Sequence, residues 1–303
     1  MIKARHIGAE AIQIFPSNPR QWRTHSYTDD ELFRFSMELK RRSLPLFIHS
    51  TYLMNLASPD ADLRRRSAGA LAEAFRFACL TGAAGVVTHV GSHRGEGLAR
   101  AVPRIVASVI EARHRAERLL GPDGPPPSRR AGGETSHQPD PRLLLETSAG
   151  GGNTVGSTPS ELGILVEQLG GGTEVCLDTA HLFAAGYAIN TEDGLENLLD
   201  ELSAAGLTGR VALIHFNDSM TGLGSKHDRH ANLWEGLLGR AGLSVVMGHP
   251  TFRHVPFVLE VPGFDGHGPD GRNVRRARLM RRVLSRPAPA GAGRPTPSRA
   301  TCE

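Results

Sequence analysis

Residues 211–236, VALIHFNDSMTGLGSKHDRHANLWEG, hold three side chains of the kinds that bind metal ions. The apolar run at 211–214 is bounded by turn residues, which predicts a buried strand, and it ends at His215. A glycine-rich loop follows and leads to Asp228 and His230. If the backbone is extended there, positions i and i+2 point the same way, so this carboxylate and this imidazole can reach one ion. One strand end and its loop thus offer three ligands.

Apolar runs that end in a polar side chain recur along the chain. They predict seven strands, at 11–15, 45–48, 85–88, 143–145, 175–177, 211–214 and 257–259. Helical patterns lie between them, at 1–9, 29–42, 63–80, 98–120, 160–169, 192–205 and 272–284. Strands that alternate with helices predict a parallel α/β fold. We expect a TIM (β/α)8-type barrel whose first strand is missing from the chain, because an eighth strand would have to precede Met1.

Composition favours a protein of the cytoplasm over a membrane or secreted protein. The chain has 303 residues, 39% of them hydrophobic, and no apolar run approaches the length that spans a bilayer. The N-terminus lacks a signal peptide pattern. The three cysteines, Cys79, Cys176 and Cys302, are scattered and odd in number, which suits a reducing compartment better than a disulfide scaffold.

We predict one domain, residues 1–285, with two stretches that do not pack. Residues 121–141 have too little apolar content to bury and should be a disordered insertion, and residues 286–303 form a Pro/Ala/Gly-rich disordered tail. The net charge of +4 belongs to the C-terminal end, since residues 271–303 carry nine arginines and one acid. The body of the chain is therefore acidic, and the basic balance is weak evidence for nucleic-acid binding.

Six of the predicted strands end in a residue that can bind a metal ion, and the carboxyl ends of barrel strands lie on one face. These residues are His49, His89, Glu146, Asp178, His215 and Glu260. With His181, Asp228 and His230 the set has five imidazoles and four carboxylates. A single histidine at a strand end is more often an ordinary polar residue than a metal ligand. Six strands that each end in a metal-binding residue are hard to explain as helix caps, because burial of an unpaired carboxylate costs free energy.

This mixture of nitrogen and oxygen ligands suits Zn²⁺ or Mn²⁺, and the absence of cysteine argues against a structural zinc site. Nine ligands are too many for one ion and, with a bridging carboxylate, are enough for three. Three divalent ions and four carboxylates leave a positive surplus that suits a phosphate. Two metal ions that lie close together stabilise both the attacking and the leaving oxygen of an in-line displacement. The residues alone therefore predict metal-dependent phosphodiester hydrolysis.

Several long motifs together resemble endonuclease IV, the family of zinc-dependent apurinic/apyrimidinic (AP) endonucleases. They occur in the order GAEAIQIFPSNPRQWR, IHSTYLMNLASP, VVTHVGSH, LLLETSAGGGNTVG, VCLDTAHLFAAGYAI, HFNDSM, GSKHDRHANLWEG and FVLEVPG. The resemblance implies an eight-stranded barrel with three zinc ions, with Mn²⁺ as an alternative ion. It further implies cleavage 5′ to an abasic site, which leaves a 3′-hydroxyl and a 5′-deoxyribose phosphate without a covalent intermediate. Removal of groups that block 3′ ends is a second expected activity.

The resemblance also assigns ligands to ions. One ion would be held by His49, His89 and Glu146. The next would share Glu146 and add Asp178, His215 and Glu260. The third would be held by His181, Asp228 and His230. Among these residues, Glu146, Asp178 and Glu260 are the expected catalytic carboxylates.

Loops of the family enter the minor groove and extrude the abasic nucleotide, so the expected partner is double-stranded DNA with abasic sites or blocked 3′ ends, bound by a monomer. By the resemblance, Arg20 and Tyr52 penetrate the base stack, whereas Gln21 and Arg23 contact DNA. Ordinary packing at the barrel rim is the simpler alternative for Tyr52. Trp22 fits either the core or the interface. The family's first strand and its DNA-contacting loop are absent, which predicts either a start codon placed too late or an open barrel of seven strands.

Two other functions compete with this prediction. A metal-dependent sugar isomerase or epimerase of the xylose-isomerase-like kind shares the barrel but is expected to use one or two ions. The third ion set and the loops that carry Arg20 and Tyr52 favour the nuclease. A non-catalytic binder of damaged DNA is the other alternative, and the complete ligand set argues against it.

Overall fold

Seven parallel strands form the central sheet of the computed structural model, which describes residues 2–22, 25–121 and 141–284. The strands of the chain are β1 (Ile12–Ile14), β2 (Leu46–His49), β3 (Gly85–Thr88), β4 (Arg142–Glu146), β5 (Thr173–Asp178), β6 (Val211–His215), β7 (Asp218–Ser219), β8 (His230–Ala231) and β9 (Phe257–Val258). The sheet has the order β1-β2-β3-β4-β5-β6-β9, while β7 and β8 form a separate antiparallel pair. All seven predicted strands are present, and the predicted α/β barrel class is confirmed.

The barrel is nearly closed. Each strand from β1 to β6 pairs in parallel with the next, and β6 pairs with β9 through Ile214–Phe257 and His215–Val258. In the described part of the chain, β1 and β9 are the two edges of the sheet and do not pair with each other. The eighth strand of the expected barrel is not among the described residues.

Helices surround the sheet on its outer side. They are α1 (Ile2–Ile7), α2 (Asp29–Arg41), α3 (Ala61–Thr81), α4 (Leu98–Leu120), α5 (Pro159–Leu169), α6 (Thr179–Ala185), α7 (Glu192–Ala204), α8 (Gly239–Gly248) and α9 (Gly271–Leu284), with a 3-10 turn at Pro250–Phe252. The predicted ends agree with the observed ones to within two residues. At α3, for example, the Asp60 side chain caps the first backbone N–H groups and Gly82 ends the helix at a φ of +70°.

Sequence patterns missed two helices, α6 and α8. In α6 the six residues from 179 to 184 are buried, so the polar face that marks an amphipathic helix is absent. In α8 the glycines at its ends and centre lower the helix propensity, which hides the element from a pattern search. Gly242 is required by packing, because a Cβ atom there would lie 2.5 Å from the Cβ of Asn190.

Two apolar layers build the core. The larger lies between the sheet and the helices, and the smaller fills the barrel interior. The interior layer consists of Phe47, Val87, Leu144, Cys176, Leu213 and Val258. Each of these stands two residues before one of the six predicted strand-end ligands. Because side chains at i and i+2 point to the same face of a strand, the interior layer aims all six ligands into the mouth of the barrel.

Within the described ranges, none of the helices is both long and apolar enough to cross a bilayer. The predicted disordered insertion, apart from its end residues Gly121 and Pro141, and the predicted tail at 286–303 lie outside the described residues. The division of the chain into one domain with two unpacked stretches therefore stays a prediction.

Candidate metal centre

All nine predicted ligands meet at the mouth of the barrel. His49, Glu146, Asp178 and His215 are the last residues of β2, β4, β5 and β6. His89 and Glu260 follow β3 and β9 by one and two residues, and His181 lies on α6. Asp228 precedes β8, in which His230 lies. The side chains of Glu146, Asp178 and His215 are completely buried, so these charged and polar groups depend on one another for partners.

The donor atoms form three groups in which every pair of atoms lies within 4.8 Å. The first is His49, His89 and Glu146, the second is Glu146, Asp178, His215 and Glu260, and the third is Asp178, His181 and His230. Glu146 belongs to the first two groups and Asp178 to the last two. The three donor groups thus share two carboxylates, whereas the resemblance assigned sharing only to Glu146.

Asp228 closes the third group from the solvent side. Its two carboxylate oxygens lie 3.2 Å from Nε2 of His181 and 3.2 Å from Nε2 of His230. The Asp228 side chain is 55% exposed, unlike the buried carboxylates of the site. The side chains of Asp228 and His230 therefore point toward the same position, as expected for an extended backbone. Asp178 reaches that position from the buried side of the site.

Glu146 lies at the centre of the site. Its Oε2 atom is 3.0 Å from Nε2 of His49 and 3.1 Å from Nε2 of His89. Its Oε1 atom is 2.9 Å from Nδ1 of His215. Each oxygen thus faces a different set of imidazoles, which is consistent with the membership of Glu146 in two donor groups.

Backbone carbonyls orient two of the imidazoles. His49 donates its Nδ1–H to the carbonyl of Ser50 at 2.7 Å, and His181 donates its Nδ1–H to the carbonyl of Thr147 at 2.9 Å. Both rings therefore present Nε2 to the carboxylates. Ligand histidines in metalloproteins are typically held in this way, with one N–H on an oxygen and the other nitrogen free to bind the metal.

The charges of the site shift the pKa of its groups strongly. Burial by itself would raise the pKa of Glu260, but the positive charge of His215 outweighs it and lowers the pKa to about 2. For His230, burial lowers the pKa while the charge of Asp178 raises it, and the result is a pKa of about 9. Glu260 is thus ionised at neutral pH and His230 holds a proton there, which a divalent cation would displace on binding.

The residues present fit such cations. Nε2 of His230 is buried and forms no hydrogen bond, although the Asp228 carboxylate is 3.2 Å away. A buried nitrogen without a hydrogen bond, aimed at ionised carboxylates, is the arrangement of a ligand. Burial raises the pKa of the Cys176 thiol below the site to about 12, so this cysteine stays neutral within the apolar layer. The donors of the three groups are therefore imidazoles and carboxylates, without a thiolate.

Asn217 supports the centre, although no sequence pattern pointed to it. Its side-chain NH₂ donates to Oδ2 of Asp178 at 2.7 Å, and its Oδ1 accepts the backbone N–H of Glu260 at 2.8 Å. The residue is fully buried. Its position two residues after His215 was the available signal, since polar residues that follow a barrel strand lie near the site.

The candidate DNA-contacting loops lie beside the metal centre. Pro19, in the loop after β1, accepts hydrogen bonds from the hydroxyl of Thr51 at 2.6 Å and from the backbone N–H of Tyr52 at 3.1 Å. The Tyr52 ring is 5.4 Å from the His49 ring, centroid to centroid, yet Tyr52 is 52% exposed. Arg20 and Gln21 are exposed in the same loop pair. Trp22 is also exposed and is not part of the core, and Arg23 lies outside the described residues.

A family model described as xylose isomerase-like TIM barrel matches residues 2–283. With the strand-end donors, this match defines the protein as a xylose isomerase-like TIM barrel. A D-tagatose 3-epimerase-like protein of known structure shares that fold, with a TM-score of 0.63 and 14% identity over 91% of this chain and 89% of its own.

Higher identity occurs with proteins named probable endonuclease 4. The one from Halothermothrix orenii is 35% identical over 92% of this chain and 93% of its own length, and the one from Streptomyces coelicolor is 34% identical over 91% and 88%. The crystal structure of endonuclease IV from Thermus thermophilus has a TM-score of 0.76 and 33% identity over 93% of both chains. The chain belongs to the endonuclease IV family of AP endonucleases.

Proposed function

We propose that this chain hydrolyses the DNA phosphodiester bond 5′ to an abasic site, using three zinc ions, and leaves a 3′-hydroxyl and a 5′-deoxyribose phosphate. The observation that carries the proposal is the cluster of three donor groups with shared carboxylates, in a chain of the endonuclease IV family. Repair of blocked 3′ ends is part of the proposal, because the same bond type is broken there. We further propose that the enzyme acts as a monomer on DNA in the cytoplasm.

The three groups would each hold one ion: the first in His49, His89 and Glu146, the second in Glu146, Asp178, His215 and Glu260, and the third in Asp178, His181, Asp228 and His230. Bound zinc supplies Lewis-acid stabilisation of the negative charge that develops on the phosphate oxygens. Mn²⁺ would satisfy the same nitrogen and oxygen donors.

The three carboxylates have different roles in the proposal. Glu146 and Asp178 have no exposed side-chain surface and hold the cluster together. Of these three, Glu260 keeps 16% of its side chain exposed, so it is the one that would face the incoming substrate. Its pKa of about 2 keeps it an acceptor at neutral pH, so it can orient an attacking water by accepting one of its hydrogen bonds.

The loops that carry Arg20, Gln21 and Tyr52 would select the abasic site, and we also propose Arg23, which lies outside the described residues, as a DNA contact. An abasic nucleotide costs least to extrude from the duplex because its pairing and stacking are already lost. The Tyr52 ring is exposed and lies beside His49, and it would fill the gap that extrusion leaves. Arg20 adds a positive charge near the phosphates of the same stretch.

Cleavage of a duplex with one abasic-site analogue, with and without a chelator, tests the function directly. We expect a nick 5′ to the analogue, loss of the nick after chelation, and its return when Zn²⁺ is added back. A duplex without the analogue is the control and should stay intact. Cleavage that persists after the metal has been removed would contradict the proposal.

Substitution of Tyr52 tests the loops separately from the metal centre. Stacking of one base on an aromatic side chain is worth about 1–3 kcal/mol, so Tyr52→Ala should raise KM roughly 5- to 100-fold while zinc content stays the same. Tyr52→Phe keeps the ring and should remain near the wild type. Phe33→Ala, which removes an exposed ring on α2, is the matched control. If Tyr52→Ala leaves KM unchanged, packing at the rim is the role of this residue.

The two competing functions predict other results in the same experiments. A sugar epimerase would convert a ketose and ignore abasic DNA, and likeness to an epimerase structure at 14% identity shows the fold alone. A non-catalytic binder would hold abasic DNA and zinc without a nick. The third donor group, with His181, Asp228 and His230, favours the nuclease over both of these alternatives.

A further inference from the structure

Gln13 places an amide in the barrel interior. It lies in the middle of β1 and pairs in register with Phe47, a member of the interior apolar layer. Gln13 is half-buried, and an amide at that level needs hydrogen-bond partners, since burial without them is unfavourable. We infer that Gln13 is a positioning residue of the metal centre, which fixes the orientation of His215 and Glu260.

Both ends of the Gln13 amide bind predicted ligands. Its Nε2 donates to Oε1 of Glu260 at 2.6 Å, and its Oε1 accepts a hydrogen bond from Nε2 of His215 at 2.8 Å. The carboxylate can only accept, so the NH₂ end of the amide must face Glu260. The carbonyl end then faces His215, so Nε2 of His215 carries a proton and donates it to Gln13.

This contact decides which nitrogen His215 offers to an ion. With Nε2 held against Gln13, the other nitrogen, Nδ1, faces the carboxylates, 2.9 Å from Oε1 of Glu146 and 3.1 Å from Oε2 of Glu260, and it is the nitrogen that an ion would bind in exchange for its proton. Backbone carbonyls hold His49 and His181, so no side-chain substitution can remove those contacts. The orientation of His215 depends on a side chain and can be changed by mutation.

Gln13 also links two strands that do not pair within the described residues. β1 and β9 are the edges of the sheet, and Glu260 lies two residues beyond β9. The hydrogen bond from Gln13 holds Oε1 of Glu260 across this edge, which leaves Oε2 toward the other donors of the second group. Gln13 thus fixes the one carboxylate of that group that is partly exposed.

The inference rests on the proposed metal centre and is tested by the affinity for Zn²⁺ alone, measured in competition with a chromophoric chelator. Gln13→Ala removes the amide, whereas Gln13→Met removes the hydrogen bonds and retains a side chain of similar length. Loss of such a supporting hydrogen bond typically weakens metal binding about 10- to 100-fold. We expect that loss for one of the bound ions in both variants, with kcat/KM on abasic DNA reduced in step. Gln168→Ala, an exposed glutamine on α5, should stay within about twofold of the wild type.

The outcomes separate this inference from the proposed function. Weaker zinc binding in Gln13→Ala with normal binding in Gln13→Met would show that Gln13 only packs, and unchanged binding in both would equally overturn the inference. A wild-type protein that binds three zinc ions but leaves abasic DNA intact would contradict the proposed function and leave the affinity test of Gln13 valid. A wild-type protein that binds no zinc would overturn both.

Discussion

The Glu146→Gln variant is expected to lose more than about 100-fold in kcat/KM on abasic DNA, since even supporting residues around a metal contribute about 10- to 100-fold. Glu146 belongs to two of the three donor groups, and its oxygens lie 2.9–3.1 Å from nitrogens of His49, His89 and His215. Glutamine has the same shape but lacks the negative charge and turns an NH₂ group toward one of those imidazoles. The variant should therefore bind fewer zinc ions than the wild type.

Kinetics of nicking together with metal analysis of the dialysed protein would measure both effects. The circular dichroism spectrum should change little, because the substituted side chain fits the same buried space. Glu167→Gln removes an exposed carboxylate from α5 and is the matched control, with unchanged rate and zinc content. Full zinc content and a near-normal rate in Glu146→Gln would refute the bridging role of this carboxylate.

The second large effect is on stability, at Asp218. Its carboxylate is fully buried and accepts backbone N–H groups that come from its own neighbour and from the segment after β8. These donors are the N–H groups of Ser219, Trp234, Gly236, Leu238 and Gly239, at 2.9–3.1 Å. Hydrogen bonds to a charged acceptor contribute about 1.5–3 kcal/mol each, and buried N–H groups left without a partner are costly.

Asp218→Ala should therefore lower the free energy of unfolding by about 3–5 kcal/mol, at the upper end for a single substitution. For a chain of this size that corresponds to a fall in Tm of roughly 10 °C. Asp218→Asn should cost less, since one side-chain oxygen still accepts. Because β7 and β8 pair Asp218 with Ala231 and Ser219 with His230, the alanine variant should also weaken the third donor group.

Thermal unfolding followed by circular dichroism would measure the stability, with Asp200→Ala on the exposed side of α7 as the control. A surface substitution of that kind normally changes stability by about 0.5 kcal/mol or less. If Asp218→Ala melts at the same temperature as the control, the segment after β8 is held by packing and the network is dispensable.

Local patterns in the sequence determined the barrel and the strand-end donors. Each of the seven strands is a short apolar run, and each long helix has a polar face, so periodicity and caps fix these elements without reference to the rest of the chain. The position of a donor at the end of six strands follows from the same patterns, because parallel strands present their carboxyl ends on one face. All nine candidates do meet at that face in the folded chain, while their roles as ligands remain predictions.

Only the tertiary structure decided that Asp178 is shared between two donor groups and which residues support the donors. Four features depend on distances between residues that are remote in sequence. They are the membership of Asp178 in a second donor group and the hydrogen bonds of Asn217, Asp218 and Gln13. Gln13 and His215 are 202 positions apart, and no local pattern relates them. Sequence periodicity specifies the face of a strand to which a side chain points, whereas the partner that it meets there is set by the closure of the sheet.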